Sequence, residues 1–179
     1  MRKNEIIKNY GESFVAMMFT NWGYESDIID AEGIDLMCYK EISDNSYKKY
    51  GISVKTRDPY DKMNNSLNLT WNDLVLADKQ AKVRDGELLY AIVWYSIDRV
   101  DVVVFSQEYV LKKFGYSDIE GYKKDFPKKP KSKESNGSTK SISTNLNARN
   151  SWLNMYKEGE PGVIYAARFD INDNNTLTV

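Results

Sequence analysis

The order of apolar segments in this chain predicts an α/β (α+β) domain: a helix, three strands, a second helix and two further strands. Three observations carry that reading. Apolar residues recur at helical spacing before Gly23. Three short strand-like segments follow, separated by polar connectors. A nearly continuous apolar run, LLYAIVWY, then reads as a strand buried on both faces.

The first helix is expected over residues 5–22, where Ile6, Ile7, Tyr10, Phe14, Met17 and Met18 mark one face. Val15 and Phe19 widen the apolar arc, and Gly23 stops the helix. Strands are expected at 24–30, 34–41 and 50–57, the last two joined as an antiparallel hairpin by the polar ISDNSYKK. The stretch RDPYDKMNNSLN reads as a loop from its Pro, Asn and Asp content. Thr70 then resembles an N-cap, with Asp73 completing a capping box for a helix over 71–84. Strands LLYAIVWY and VDVVVF follow, then a short helix within SQEYVLKKFG.

Composition changes after residue 115. Between residues 112 and 149 there are ten Lys and Arg against four Asp and Glu, although the whole chain carries a net charge of −1. Residues 116–143 are therefore expected as an exposed, mobile basic loop after a core at 1–115. Residues 144–179, with a helix near 147–157 and the strand VIYAARFDI, are expected to complete the same domain.

Composition also narrows the chemistry. There is no histidine, which removes Ser-His-Asp and Cys-His catalysis and histidine metal sites. Cys38 is the single cysteine, so neither an internal disulfide nor a thiolate zinc site can form. Any hydrolytic chemistry must rest on carboxylates, lysine, tyrosine and a hard divalent metal. The charged start of the chain lacks an apolar signal core, and no apolar run reaches membrane-span length, so a cytoplasmic protein without a membrane partner is expected.

Asp35, inside a strand, and Lys55, between Val54 and Thr56, stand out because strands are depleted in Asp. Strand alternation puts Asp35, Met37 and Tyr39 on one face, opposite Ile34, Leu36 and Cys38. It also groups Ser53, Lys55 and Arg57, so a hairpin can place Asp35 and Lys55 on one side of the sheet. A carboxylate there can hold a cation that polarises a phosphate, and a lysine can orient the attacking water. Taken alone, either residue also suits a solvent-facing strand position.

The residues Gly11-Glu12, Gly33 to Asp35 and Ser53 to Lys55, in this element order, resemble the PD-(D/E)XK nuclease superfamily. The resemblance covers residues 11–96, roughly half the chain. It implies a restriction endonuclease-like core: a helix, a three-strand antiparallel meander, a helix and a strand, in a mixed sheet flanked by helices. It implies Asp35 as metal ligand, Lys55 as partner of the attacking water, and Glu12, as the first-helix glutamate found in Holliday-junction resolvase-like branches, as a second metal ligand. Mg2+ or Mn2+ is the implied cofactor and DNA the implied partner, with RNA, a homodimer or a partner protein left open. Ser53 stands where the family carries its second acid, and its neutral hydroxyl is a poor ligand for a hard cation.

The function expected is metal-dependent hydrolysis of DNA phosphodiester bonds. The alternative is a nuclease fold without catalysis, serving as a nucleic-acid-binding or protein-interaction module. Glu12 falls on the polar arc of its helix with Glu5, Asn9 and Ala16, which suits a site residue or a solvated one. Arg57, Lys128, Lys129, Lys131 and Lys133 are candidates for phosphate contact, and a solvated linker explains the lysines equally well.

Overall fold

A computed structural model describes residues 3–58, 66–96, 98–128 and 138–170. Helix α1 (Lys3–Asn21) leads into strands β1 (Glu25–Ala31), β2 (Ile34–Ser43) and β3 (Ser46–Arg57), an antiparallel meander. After β4 (Ser66–Leu69), a π-helical turn (Asn72–Leu76) runs into helix α2 (Ala77–Val83). Strand β5 (Glu87–Tyr95) returns parallel to β3, and β6 (Arg99–Ser106) pairs antiparallel with it. Helices α3 (Gln107–Lys113) and α4 (Ile119–Asp125), strand β7 (Lys140–Ser143), helix α5 (Leu146–Lys157) and strand β8 (Val163–Asp170) follow. Among the described residues the main sheet has six strands in the order β1-β2-β3-β5-β6-β8, and β4 pairs with β7 in a second, two-stranded sheet. This is the helix, meander, helix and strand order, in a mixed sheet flanked by helices, that the sequence predicts.

The sheet carries a core on each face. Val15, Met18 and Phe19 of α1 pack on Leu36, Ile52, Leu89 and Ala91. On the other face Ile34, Met37, Tyr90, Ile92 and Trp94 lie against α2 and α5, with Trp152 among them. Strand β5 contributes alternate residues to both layers, which is why its sequence is apolar throughout. Each fully buried Leu, Ile or Val in these layers contributes about 1.5–3 kcal/mol.

Four local expectations differ from the structure. Residues 66–69, expected as loop, form β4, because Leu67 and Leu69 are buried while Ser66 and Asn68 are exposed. The helix expected over 71–84 begins as a π turn and becomes α-helical only at Ala77. The basic segment 116–143 contains α4 and β7 rather than loop alone. Asp118 caps α4 by accepting from the Gly121 N–H at 2.7 Å, and the buried Tyr122 donates to the Ser138 carbonyl at 2.6 Å. Tyr122 meets Tyr116 edge-on and Phe126 at a tilt, which fixes this stretch to the domain, while Lys140 lies over the Tyr116 and Phe126 rings. Lys129, Lys131 and Lys133 lie outside the described residues.

The fourth difference concerns Asp35. Regular alternation would put Ile34 with Leu36, yet Ile34 joins the layer of Met37 while Leu36 and Cys38 face α1. The β1–β2 register shifts at the same place, between Ile28↔Leu36 and Ala31↔Ile34. Such a bulge re-aims side chains locally, and Asp35 sits at it.

Candidate active site

Helix α1 approaches β3 unusually closely at Gly11. A Cβ there would lie 1.8 Å from Thr56 Oγ1 and 3.0 Å from Thr56 Cβ, so only glycine fits. The close approach carries the next residue, Glu12, down onto the sheet. Glu12 is buried, at 8 % exposure, which settles its position on the helix: it is not a solvated residue.

Asp35 comes to the same place from β2. Gly33, with φ of +95°, makes the preceding turn, and a Cβ on it would lie 2.7 Å from the Ala77 backbone nitrogen. The β2–β3 pairing at this end stops at Leu36↔Ile52. Beyond that point the Val54 N–H donates to Asp35 Oδ2 at 2.7 Å, a side chain replacing a strand carbonyl as acceptor.

The two carboxylates share one cation. Lys8 Nζ, mostly exposed and one helical turn before Glu12, lies 3.3 Å from Glu12 Oε1 and 4.0 Å from Asp35 Oδ1. Glu12 Oε1 is buried and makes no hydrogen bond. Burial above all, and then the Asp35 charge, push the Glu12 carboxyl above the usual range, against the opposing pull of Lys8.

Lys55 has a different partner. Its Nζ lies 2.7 Å from Asp73 Oδ1, and no ion pair joins it to Asp35 or Glu12 among the described residues. Asp73 Oδ2 accepts from the Thr70 N–H at 2.8 Å and the Thr70 hydroxyl at 2.7 Å. The Tyr90 hydroxyl donates to the Asp73 carbonyl at 3.0 Å and ties the π turn to β5. Burial pushes the Asp73 carboxyl up, but Lys55 and the Thr70 donors outweigh it and hold the group below its ordinary range. Residues Thr70 and Asp73 show the capping box expected of them, while the pairing of Asp73 with Lys55 carried no sequence signal. It depends on docking the turn against β3.

The remaining candidates are dispersed. Ser53 Oγ is buried without a hydrogen-bond partner. Arg57 Nη1 donates to the Thr56 carbonyl at 2.9 Å, and Lys128 is exposed. Burial first of all pushes the Cys38 thiol up to about 11, so it stays a thiol at neutral pH.

Among the described residues, no group of three or more His, Cys, Asp or Glu side chains could hold a metal ion. The Glu12–Asp35 pair nonetheless fits one hard divalent cation. It offers two carboxylates, a buried oxygen without a hydrogen bond, and a repulsion that a cation would relieve. Water and phosphate oxygens would have to supply the other ligands.

No protein-family model and no curated protein matches the chain. Among solved structures, it is similar to Hjc, a Holliday junction resolvase from the archaeal hyperthermophile Archaeoglobus fulgidus. The identity is 14% and the TM-score 0.42, with 56% of this chain and 72% of that one covered. A likeness so loose leaves the functional reading to the site itself. No described helix is long and apolar enough to cross a membrane.

Proposed function

We propose that this chain is a metal-dependent, nuclease-like protein that hydrolyses phosphodiester bonds in DNA, working in the cytoplasm. The observation that carries the reading is the convergence of Glu12 and Asp35, from two separate elements, on one partly dry place with a surplus of negative charge. There they would hold Mg2+ or Mn2+. A bound divalent ion polarises a phosphate oxygen and lowers the pKa of a coordinated water. Val54 fixes the orientation of Asp35 through its N–H, and Lys8 balances charge while the site holds no ion. Lys55 acts on the phosphate or the attacking water only after exchanging Asp73 for that partner.

The test is cleavage of plasmid DNA with Mg2+ or Mn2+ by the wild-type chain and by Asp35→Ala, Glu12→Gln and Lys55→Ala. Activity should disappear in the first two and fall strongly in the third. Cleavage that survives both Asp35→Ala and Lys55→Ala would overturn the mechanism.

A second reading has its own support. Ser53 brings no charge to the usual acidic position, and Lys55 is held by Asp73. Those two features favour a nuclease fold that binds nucleic acid or protein without cutting. Calorimetry separates the readings: tight Mn2+ binding abolished by Asp35→Ala rules the second one out.

A further inference from the structure

A cationic row crosses the sheet on the face opposite α1. Arg57 of β3 is in register with Trp94 of β5, Trp94 with Asp101 of β6, and Asp101 with Arg168 of β8. In-register neighbours project to the same side of a sheet, and Trp94 belongs to the core layer that includes Trp152 of α5. Helix α5 adds Arg149, whose guanidinium carbon lies 5.5 Å from the centre of the Trp94 ring.

Among the described residues, three arginines of this region meet at one carboxylate. Asp101, 3 % exposed, accepts from Arg149 Nη1 and from Arg168 Nε, each at 2.7 Å, and Arg99 Nε lies 3.6 Å away. Asp170 stands opposite Arg99 in the register. Even with Arg99 assigned to Asp170, Arg149 and Arg168 share one carboxylate. Arg57, the next cation along, forms no ion pair among the described residues, and the carboxylate whose charge acts on it, Asp73, already pairs with Lys55. Arg149 is only 7 % exposed, so its surplus charge is not dispersed by water.

Two hydrogen-bond donors there lack acceptors. Neither Arg149 Nε nor Trp94 Nε1 finds one, and both are buried. Buried N–H groups are nearly always paired, so two orphans beside one another under excess positive charge call for an acceptor. Arg168, 29 % exposed, donates from Nη2 to Asn150 Oδ1 at 3.0 Å and leaves the row open at its β8 end.

We propose that this row is an oxyanion site taking a phosphate group, held by Arg57, Arg149 and Arg168 beside Trp94. Guanidinium groups match phosphate in geometry as well as charge, and the arriving oxygens satisfy the orphan donors. The same phosphate chemistry is offered by free phosphate and by the backbone of a nucleic-acid strand. The proposal does not depend on Glu12 and Asp35 being catalytic.

The experiment is a titration of the metal-free, 15N-labelled protein with inorganic phosphate, following the indole N–H signals of its four tryptophans. Trp94→Phe identifies the signal of Trp94. The expected result is a saturable shift of that signal with phosphate and none with chloride at equal ionic strength. Arg168→Gln, which leaves Arg149 on Asp101, should weaken the response roughly tenfold, as should Arg57→Gln. The three other indole signals report whether those variants keep the fold. No saturable shift, or a shift unaffected by both substitutions, overturns the proposal. A short DNA duplex giving the same shift at lower concentration identifies a backbone phosphate as the ligand; a response to inorganic phosphate alone identifies free phosphate. Because no metal and no cleavage enter this measurement, its failure leaves the nuclease reading untouched, and the reverse also holds.

Discussion

On the α1 side of the sheet, two carboxylates, Glu12 and Asp35, share one exposed lysine. On the α5 side, three arginines share one buried aspartate. The first cluster has a surplus of negative charge and the second a surplus of positive charge. They differ in what removing the shared ion does. Deleting Lys8 takes away an exposed group and leaves water to screen part of the repulsion. Deleting Asp101 leaves the buried Arg149 facing Arg99 and Arg168 without the carboxylate they share. One cluster tolerates its imbalance; the other is also a structural clamp joining β6, β8 and α5.

That contrast can be broken most sharply at Asp101. Asp101→Ala should lower stability by about 3–5 kcal/mol, because it strands buried charge. Urea denaturation measures it, and a loss below about 1 kcal/mol, the range of an exposed pair, would erase the distinction between the two clusters. Gly11→Ala comes next. The added Cβ meets Thr56 and should cost about 1–3 kcal/mol by overpacking, read as a lower thermal midpoint.

Acid titration supplies a smaller effect. Asp73 is held below its ordinary range, so its contribution is present above the unfolded carboxyl pKa and is lost as pH falls through the folded value. Lys55→Ala should flatten that acid loss when denaturation midpoints are compared between neutral pH and pH 3. The smallest effect has the opposite sign. The Glu12 carboxyl is raised, so the folded state binds more protons than the unfolded state just above the unfolded pKa, and stability falls as pH rises there. Glu12→Gln should therefore gain on the wild type between pH 4 and pH 7. A variant that loses ground over that interval would show that burial and the Asp35 charge do not disfavour the Glu12 carboxylate.

Where the fold was legible, the signal was local. LLYAIVWY revealed a strand buried on both faces because both layers of the core draw on consecutive residues. Thr70 and Asp73 announced their reciprocal bonds because those bonds span three residues. What stayed hidden depends on distant partners. Strand β4 looks like loop until β7 supplies its other half, with Ser141 hydrogen-bonded to Asn68. Asp101 reads as one polar residue in VDVVVF until Arg149 and Arg168 arrive from α5 and β8. Asp35 and Lys55 were singled out by residue type, but parity misplaced their relation, because a bulge interrupts the alternation at Asp35. Glu12 was ambiguous because its burial follows from the Gly11–Thr56 contact, which helical spacing does not encode.

The pairing of β3 with β5 also has a kinetic side. Among the described residues it is the main sheet's one parallel pairing, and residues 58–86 must be looped out before it can form. The antiparallel meander closes through neighbouring turns, so its contacts come at little entropic cost. The β3–β5 pairing waits for the crossover and for α2 to find its layer. A ribosome-bound chain that has emerged only to residue 86 therefore has the segments that supply Glu12 and Asp35, while Arg57 still lacks Trp94 and the arginines beyond it.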